Sequence, residues 1–203
     1  MKIKVCGIRN QANLAFLNAA EVDFIGFIFY SKSSRNFHDG DIKGAIQSGK
    51  KKVGVFVNEA IEEVERLAEA YQLDYLQLHG DESPAYCKQL KTQGYKLLKA
   101  FSIYDQLPSN LEEYESVVDY FLFDTKGVSY GGNGTQFDWR VLDEYQLKTP
   151  FILSGGIGTQ DVVALKSLSH PLLYAVDVNS KFEMAPGLKD EHLLGNFIEE
   201  LKK

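Results

Sequence analysis

Cysteine is scarce in this 203-residue chain, which has two, Cys6 and Cys87. Two thiols cannot make the disulfide framework of a small secreted domain, so the simplest expectation is a reducing compartment and two free thiols. Long apolar runs are missing too, and no segment reads as a membrane span. The N-terminus enters a strand-like run directly, with no leader pattern. Positive charge is in deficit, with 22 Lys and Arg against 28 Asp and Glu, a net charge of −6. A nucleic-acid surface would need a basic stripe; the only dense basic run, Lys50-Lys51-Lys52, reads as the solvated approach to a strand. His38, His170 and His192 show no metal-ligand spacing. No Gly-x-Gly-x-x-Gly fingerprint follows a strand. What survives these exclusions is a cytoplasmic enzyme or binding protein. At 44% hydrophobic and 25% charged residues, the composition is that of one globular domain, residues 1–203, able to bury a sizeable core.

Eight apolar, β-branched runs alternate with stretches of helical periodicity. The strands are expected at Ile3–Cys6, Phe24–Phe29, Lys52–Val57, Tyr75–His79, Lys96–Phe101, Tyr120–Asp124, Phe151–Ser154 and Leu173–Asp177. Helices are expected after the caps Asn10, Asn58, Ser83 (with Pro84 at the first position) and Asp190, and over Val162–Leu168. Ser102–Val117 reads as a loop or a short, degraded helix. The spacing of one βα unit repeated eight times predicts a compact α/β (βα)8 TIM barrel, with an open doubly wound sheet as the rival.

Barrels of this kind keep their chemistry at the C-terminal ends of the strands. Cys6 ends the first, a thiol that could be a base, a nucleophile or a ligand. His79 and Asp81 follow the fourth. Asp124 ends the sixth, after Tyr120-Phe121-Leu122-Phe123, and a partly desolvated carboxyl there suits a general acid. The seventh leads into Ser154-Gly155-Gly156 and the eighth into Asp177-Val178-Asn179-Ser180. Loops at these two positions commonly hold phosphate, through backbone amides and the next helix N-terminus. Lys4 lies on the same strand face as Cys6, one layer deeper, where an ammonium could either lower the thiol pKa or neutralise a core carboxylate. Arg35, on the second loop, offers a planar fork for a carboxylate. Gly131–Gly134 reads as a flexible loop able to order over a ligand. Cys87 lies mid-helix and reads as structural.

Taken together, Lys4-Val5-Cys6-Gly7-Ile8, Gln77-Leu78-His79-Gly80-Asp81-Glu82, Asp124, Gln136-Phe137-Asp138-Trp139, Ser154-Gly155-Gly156 and Pro186-Gly187-Leu188-Lys189-Asp190 resemble the phosphoribosylanthranilate isomerase family from end to end. The resemblance implies a cofactor-free Amadori rearrangement of a phosphosugar, N-(5-phosphoribosyl)anthranilate, in tryptophan biosynthesis. It implies Asp124 as general acid and Cys6 as general base. Arg35 would hold the anthranilate carboxylate, and His79 and Asp177 would contact substrate. Gly155, Gly156, Asn179 and Ser180 would hold its phosphate. Two motifs depart from the family: Ser34 stands where a proline is usual before Arg35, and Asn179-Ser180-Lys181 replaces Ser-Ser-Gly. No metal, nucleic acid or membrane partner is implied, and monomer and homodimer both stay open.

Overall fold

A computed structural model describes residues 1–37, 49–125 and 136–203. His38 and the Gly131–Gly134 loop lie outside these. Eight parallel strands close into a barrel in chain order: β1 Lys2–Val5, β2 Phe24–Ile28, β3 Lys51–Phe56, β4 Tyr75–Leu78, β5 Leu97–Ile103, β6 Tyr120–Thr125, β7 Phe151–Leu153 and β8 Leu173–Val178. β8 pairs back onto β1, so the barrel has no open edge, and the doubly wound alternative is excluded.

Strand alternation sorts the apolar residues into two cores. Phe24, Val53, Tyr75, Leu98, Leu122, Ile152 and Ala175 point inward and plug the barrel, while residues such as Ile25, Phe121, Phe151 and Val176 point outward against the helices. Burying each large side chain contributes about 1.5–3 kcal/mol. Two positions beyond the plug on their strands, the inward residues change character. Gln77, Asp124 and Asp177 are all buried there, at the C-terminal end of the barrel.

The α-helices are α1 Gln11–Ala19, α2 Ile61–Tyr71, α3 Pro84–Thr92, α4 Val162–Ser167 and α5 Glu191–Lys202. Asn10, Ser83 and Asp190 cap as expected, each side chain accepting from the backbone N–H three residues on. Asn58 does not cap α2. Its backbone is left-handed (φ 51°), its amide oxygen accepts from Asp81 N at 2.6 Å, and Ala60 takes the cap position without a side-chain bond. Asn58 therefore ties the end of β3 to the loop after β4. The fifth unit holds only a 3-10 turn at Leu111–Tyr114, and among the described residues of the sixth there is another at Trp139–Glu144. After β8 the chain forms a feature with no strand-like signal, a hairpin of β9 Glu183–Ala185 and β10 Leu188–Lys189. Among the described residues, no helix is long and apolar enough to cross a membrane.

Candidate active site

A cavity of about 550 Å³ opens at the C-terminal end of the barrel. It is bordered by all nine residues expected to act there: Cys6, Arg35, His79, Asp124, Gly155, Gly156, Asp177, Asn179 and Ser180. Its volume is that of a pocket for a ligand of drug size.

Cys6 follows β1 and is buried, at 4% exposure. It fits because β2 carries glycine beside it: a Cβ on Gly26 would lie 2.8 Å from Cys6 Sγ and 3.1 Å from Cys6 Cα. Gly26→Ala is therefore expected to displace the thiol, cost about 1–3 kcal/mol as an overpacked core does, and lower kcat more than it raises KM. Thermal melts and steady-state kinetics on the variant check this.

One layer below, Lys4 and Asp177 are direct partners in the β1–β8 register. Lys4 Nζ donates to both carboxylate oxygens at 3.0 Å, with Lys4 fully buried. Burial opposes the Lys4 ammonium, but Asp177 and Cys6 outweigh it and hold its pKa above the ordinary lysine value. Of the two roles open to Lys4 it fills the second, pairing with the buried Asp177 carboxylate, and it also interacts with Cys6. It does not bring the thiol below its usual range. Burial pushes Cys6 up, with Lys4 opposing only in part.

Across the mouth, three strands round the barrel from β1, sits Asp124 on β6. Its Oδ1 accepts from Thr125 N at 2.9 Å, and its Oδ2 lies 3.3 Å from His79 Nε2. His79 Nδ1 in turn lies 2.8 Å from Gln77 Nε2. A Gln77 amide donating to Nδ1 leaves the ring proton on Nε2, directed at Asp124. His79 therefore orients the carboxylate and is not paired with the thiol. Sequence reasoning missed Gln77 as a site residue, although strict alternation from Tyr75 through Gln77 to His79 points it inward.

Gly155 and Gly156 both have positive φ, 98° and 63°. A Cβ on Gly155 would meet Thr125 Oγ1 at 2.2 Å, so this turn admits no larger residue without movement. The next segment corrects one expectation. Asp161 Oδ2 accepts from Gly158 N at 2.7 Å, so the N-terminal amide of the following turn is already occupied by a carboxylate. An anion at this rim would be left to the glycine amides and to the Asn179-Ser180 loop. The Asn179 side-chain oxygen is turned back to Lys189 Nζ at 2.6 Å, and its backbone carbonyl accepts from the same ammonium at 3.2 Å.

Arg35 also has a partner that its local sequence does not announce. Its Nε lies 3.1 and 2.9 Å from the two oxygens of Glu183, and its Nη2 lies 2.8 Å from Oε2.

Comparison with known proteins covers the chain nearly from end to end. Residues 3–200 match the family described as N-(5'-phosphoribosyl)anthranilate (PRA) isomerase. The chain belongs to that family. An N-(5'-phosphoribosyl)anthranilate isomerase of Parabacteroides distasonis is 46% identical, over 99% of this chain and 93% of the relative. The crystal structure of a phosphoribosyl anthranilate isomerase from Thermus thermophilus superposes with a TM-score of 0.86 at 27% identity, covering 100% of this chain and 98% of that one. A further isomerase structure, solved in complex with reduced 1-(o-carboxyphenylamino)-1-deoxyribulose 5-phosphate, matches with a TM-score of 0.81 at 29% identity, over 100% and 98% of the two chains.

Proposed function

We propose that the chain isomerises N-(5'-phosphoribosyl)anthranilate to 1-(2-carboxyphenylamino)-1-deoxyribulose 5-phosphate, a step of tryptophan biosynthesis, by general acid/base catalysis. The observation that carries the mechanism is the placement of a thiol and a carboxyl on opposite sides of one cavity, between an anion-receptive glycine rim and an arginine. Asp124 protonates the furanose ring oxygen, and the C1–O bond breaks to give the open-chain iminium. Cys6 removes the proton from C2, and the electron pair neutralises the iminium nitrogen to form the enolamine, which tautomerises to the ketone. The iminium acidifies C2, so a thiolate is a sufficient base. The phosphate is held by the Gly155-Gly156 and Asn179-Ser180 loops and the ring carboxylate by Arg35. Anchoring both ends fixes the sugar between acid and base.

The test is a fluorescence assay that follows loss of phosphoribosylanthranilate, run across pH. A base whose pKa is pushed up by burial is mostly protonated at neutral pH. Its thiolate fraction therefore grows with pH, and alkylation of Cys6 by iodoacetamide is expected to speed up from pH 7 into the alkaline range by up to about tenfold per pH unit, whereas kcat/KM also needs Asp124 protonated and should change far less. No turnover would sink the activity assignment. Turnover that survives complete alkylation of Cys6 would sink Cys6 as the base.

A further inference from the structure

The hairpin after β8 buries two charges, which a purely structural turn does not need. Glu183 is 4% exposed at its side chain and Lys189 is 0% exposed. Burying ions costs several kcal/mol each unless they are paired and fully hydrogen-bonded. Here both are. Lys189 Nζ donates to Glu183 Oε1 at 2.8 Å, Asn179 Oδ1 at 2.6 Å and Asn179 O at 3.2 Å, three acceptors for the three hydrogens of an ammonium. Glu183 Oε1 also accepts from Gly187 N at 3.1 Å, across the hairpin turn. The Glu183 carboxylate is thereby fixed from both sides before it meets Arg35.

Glu183 occupies the Nε/Nη2 edge of Arg35. A guanidinium has a second fork, between Nη1 and Nη2, equally matched to a carboxylate. Arg35 borders the cavity, whereas Glu183 and Lys189 stand behind it and do not. The charges also count: two cations and one carboxylate leave a surplus of one positive charge, the complement of one ligand carboxylate. We infer that Glu183, braced by Lys189, is a positioning residue that presents the Nη1/Nη2 fork of Arg35 to the ring carboxylate and so determines specificity for carboxylate-bearing substrate. This rests on the proposed function, in which Arg35 receives that carboxylate. Arg35 is thus held from behind by a residue 148 positions away in the chain, on the hairpin after β8, and not by its own loop alone.

The experiment is calorimetric binding of two ligands to wild type and Glu183→Gln: the reduced carboxyphenylamino-deoxyribulose phosphate, and the same compound without its ring carboxylate. Wild type is expected to prefer the first by about tenfold or more, as one charge-assisted fork allows. Glu183→Gln is expected to lose most of that ratio while binding the second ligand as wild type does. Equal loss for both ligands would make Glu183 merely structural, and tighter binding of the carboxylate ligand would make it a competitor for Arg35; either overturns the inference. A wild type that does not discriminate would instead overturn the Arg35 assignment beneath it. Should Glu183→Gln fold poorly because Lys189 is left unpaired, Glu183→Gln/Lys189→Met removes both charges of the pair and is expected to show the same loss of ratio.

Discussion

Asp124→Asn and Cys6→Ala are each expected to lower kcat by about a thousandfold or more, within the 10²–10⁴ span that a positioned acid or base supplies, and to leave ligand binding within a few-fold of wild type. The asparagine is isosteric and can still accept from Thr125 N as Asp124 does at 2.9 Å, so the local backbone should hold. What it lacks is a proton to give to the ring oxygen. Alanine at position 6 leaves a small void beside Gly26 and removes the acceptor for the C2 proton. The two losses fall on different steps, so the variants should differ in partial reactions. With Cys6→Ala the ring can still open and the iminium form, and exchange of solvent deuterium into C2 of recovered substrate should cease. With Asp124→Asn ring opening itself should be lost. Single-turnover fluorescence and deuterium incorporation separate these outcomes. A Cys6→Ala enzyme with wild-type kcat would eliminate the thiol as base. A covalent adduct on Cys6 trapped with true substrate would make it a nucleophile, a role for which the described residues supply no histidine partner, since His79 is engaged by Asp124 and Gln77.

The barrel was legible because each strand carries its own signal. Runs such as Phe24–Phe29 and Tyr120–Asp124 are apolar and bounded by polar residues, and the structure places a strand at all eight of them. Caps were legible where side chain and backbone agree, as at Asn10, Ser83 and Asp190. Asn58 failed because its left-handed backbone serves a contact to Asp81, on the next βα loop. That the candidate residues would meet was legible because strand ends gather at one mouth of the barrel, and all nine border the cavity there. What supports them was not. Lys4 and Asp177 are 173 residues apart, and Arg35 and Glu183 are 148 apart. Such pairs exist only once the register and the closure of the barrel are known. The hairpin carrying Glu183 has two short strands with no apolar alternation, so nothing local marks it.

Lys4→Met is expected to destabilise the fold at neutral pH by about 3–5 kcal/mol, the cost of leaving a buried charge without its partner. Asp177 is the charge left behind, at 6% exposure. Burial already pushes its carboxyl pKa up with Lys4 present, and removing Lys4 raises it further. A group whose folded-state pKa is raised binds protons more tightly in the native state. The variant is therefore least impaired at acid pH, below the unfolded carboxyl value near about 4. The gap in stability between Lys4→Met and wild type should widen as pH rises from there through neutrality, and denaturant titrations at several pH values measure it. The double variant Lys4→Met/Asp177→Leu should recover most of the loss, because a buried ion pair replaced by apolar groups of similar size is commonly neutral or better. A double variant as unstable as the single would show that packing, not charge, is at stake. The same ammonium is the main influence opposing burial at Cys6. Alkylation of Cys6 by iodoacetamide at pH 8 should accordingly be slower in Lys4→Met than in wild type, and the rise of that rate with pH should move to still higher pH. If both stay unchanged while stability falls, Lys4 serves Asp177 alone, and the proton lost from C2 is taken by a thiol that depends on the iminium rather than on its neighbour in the barrel.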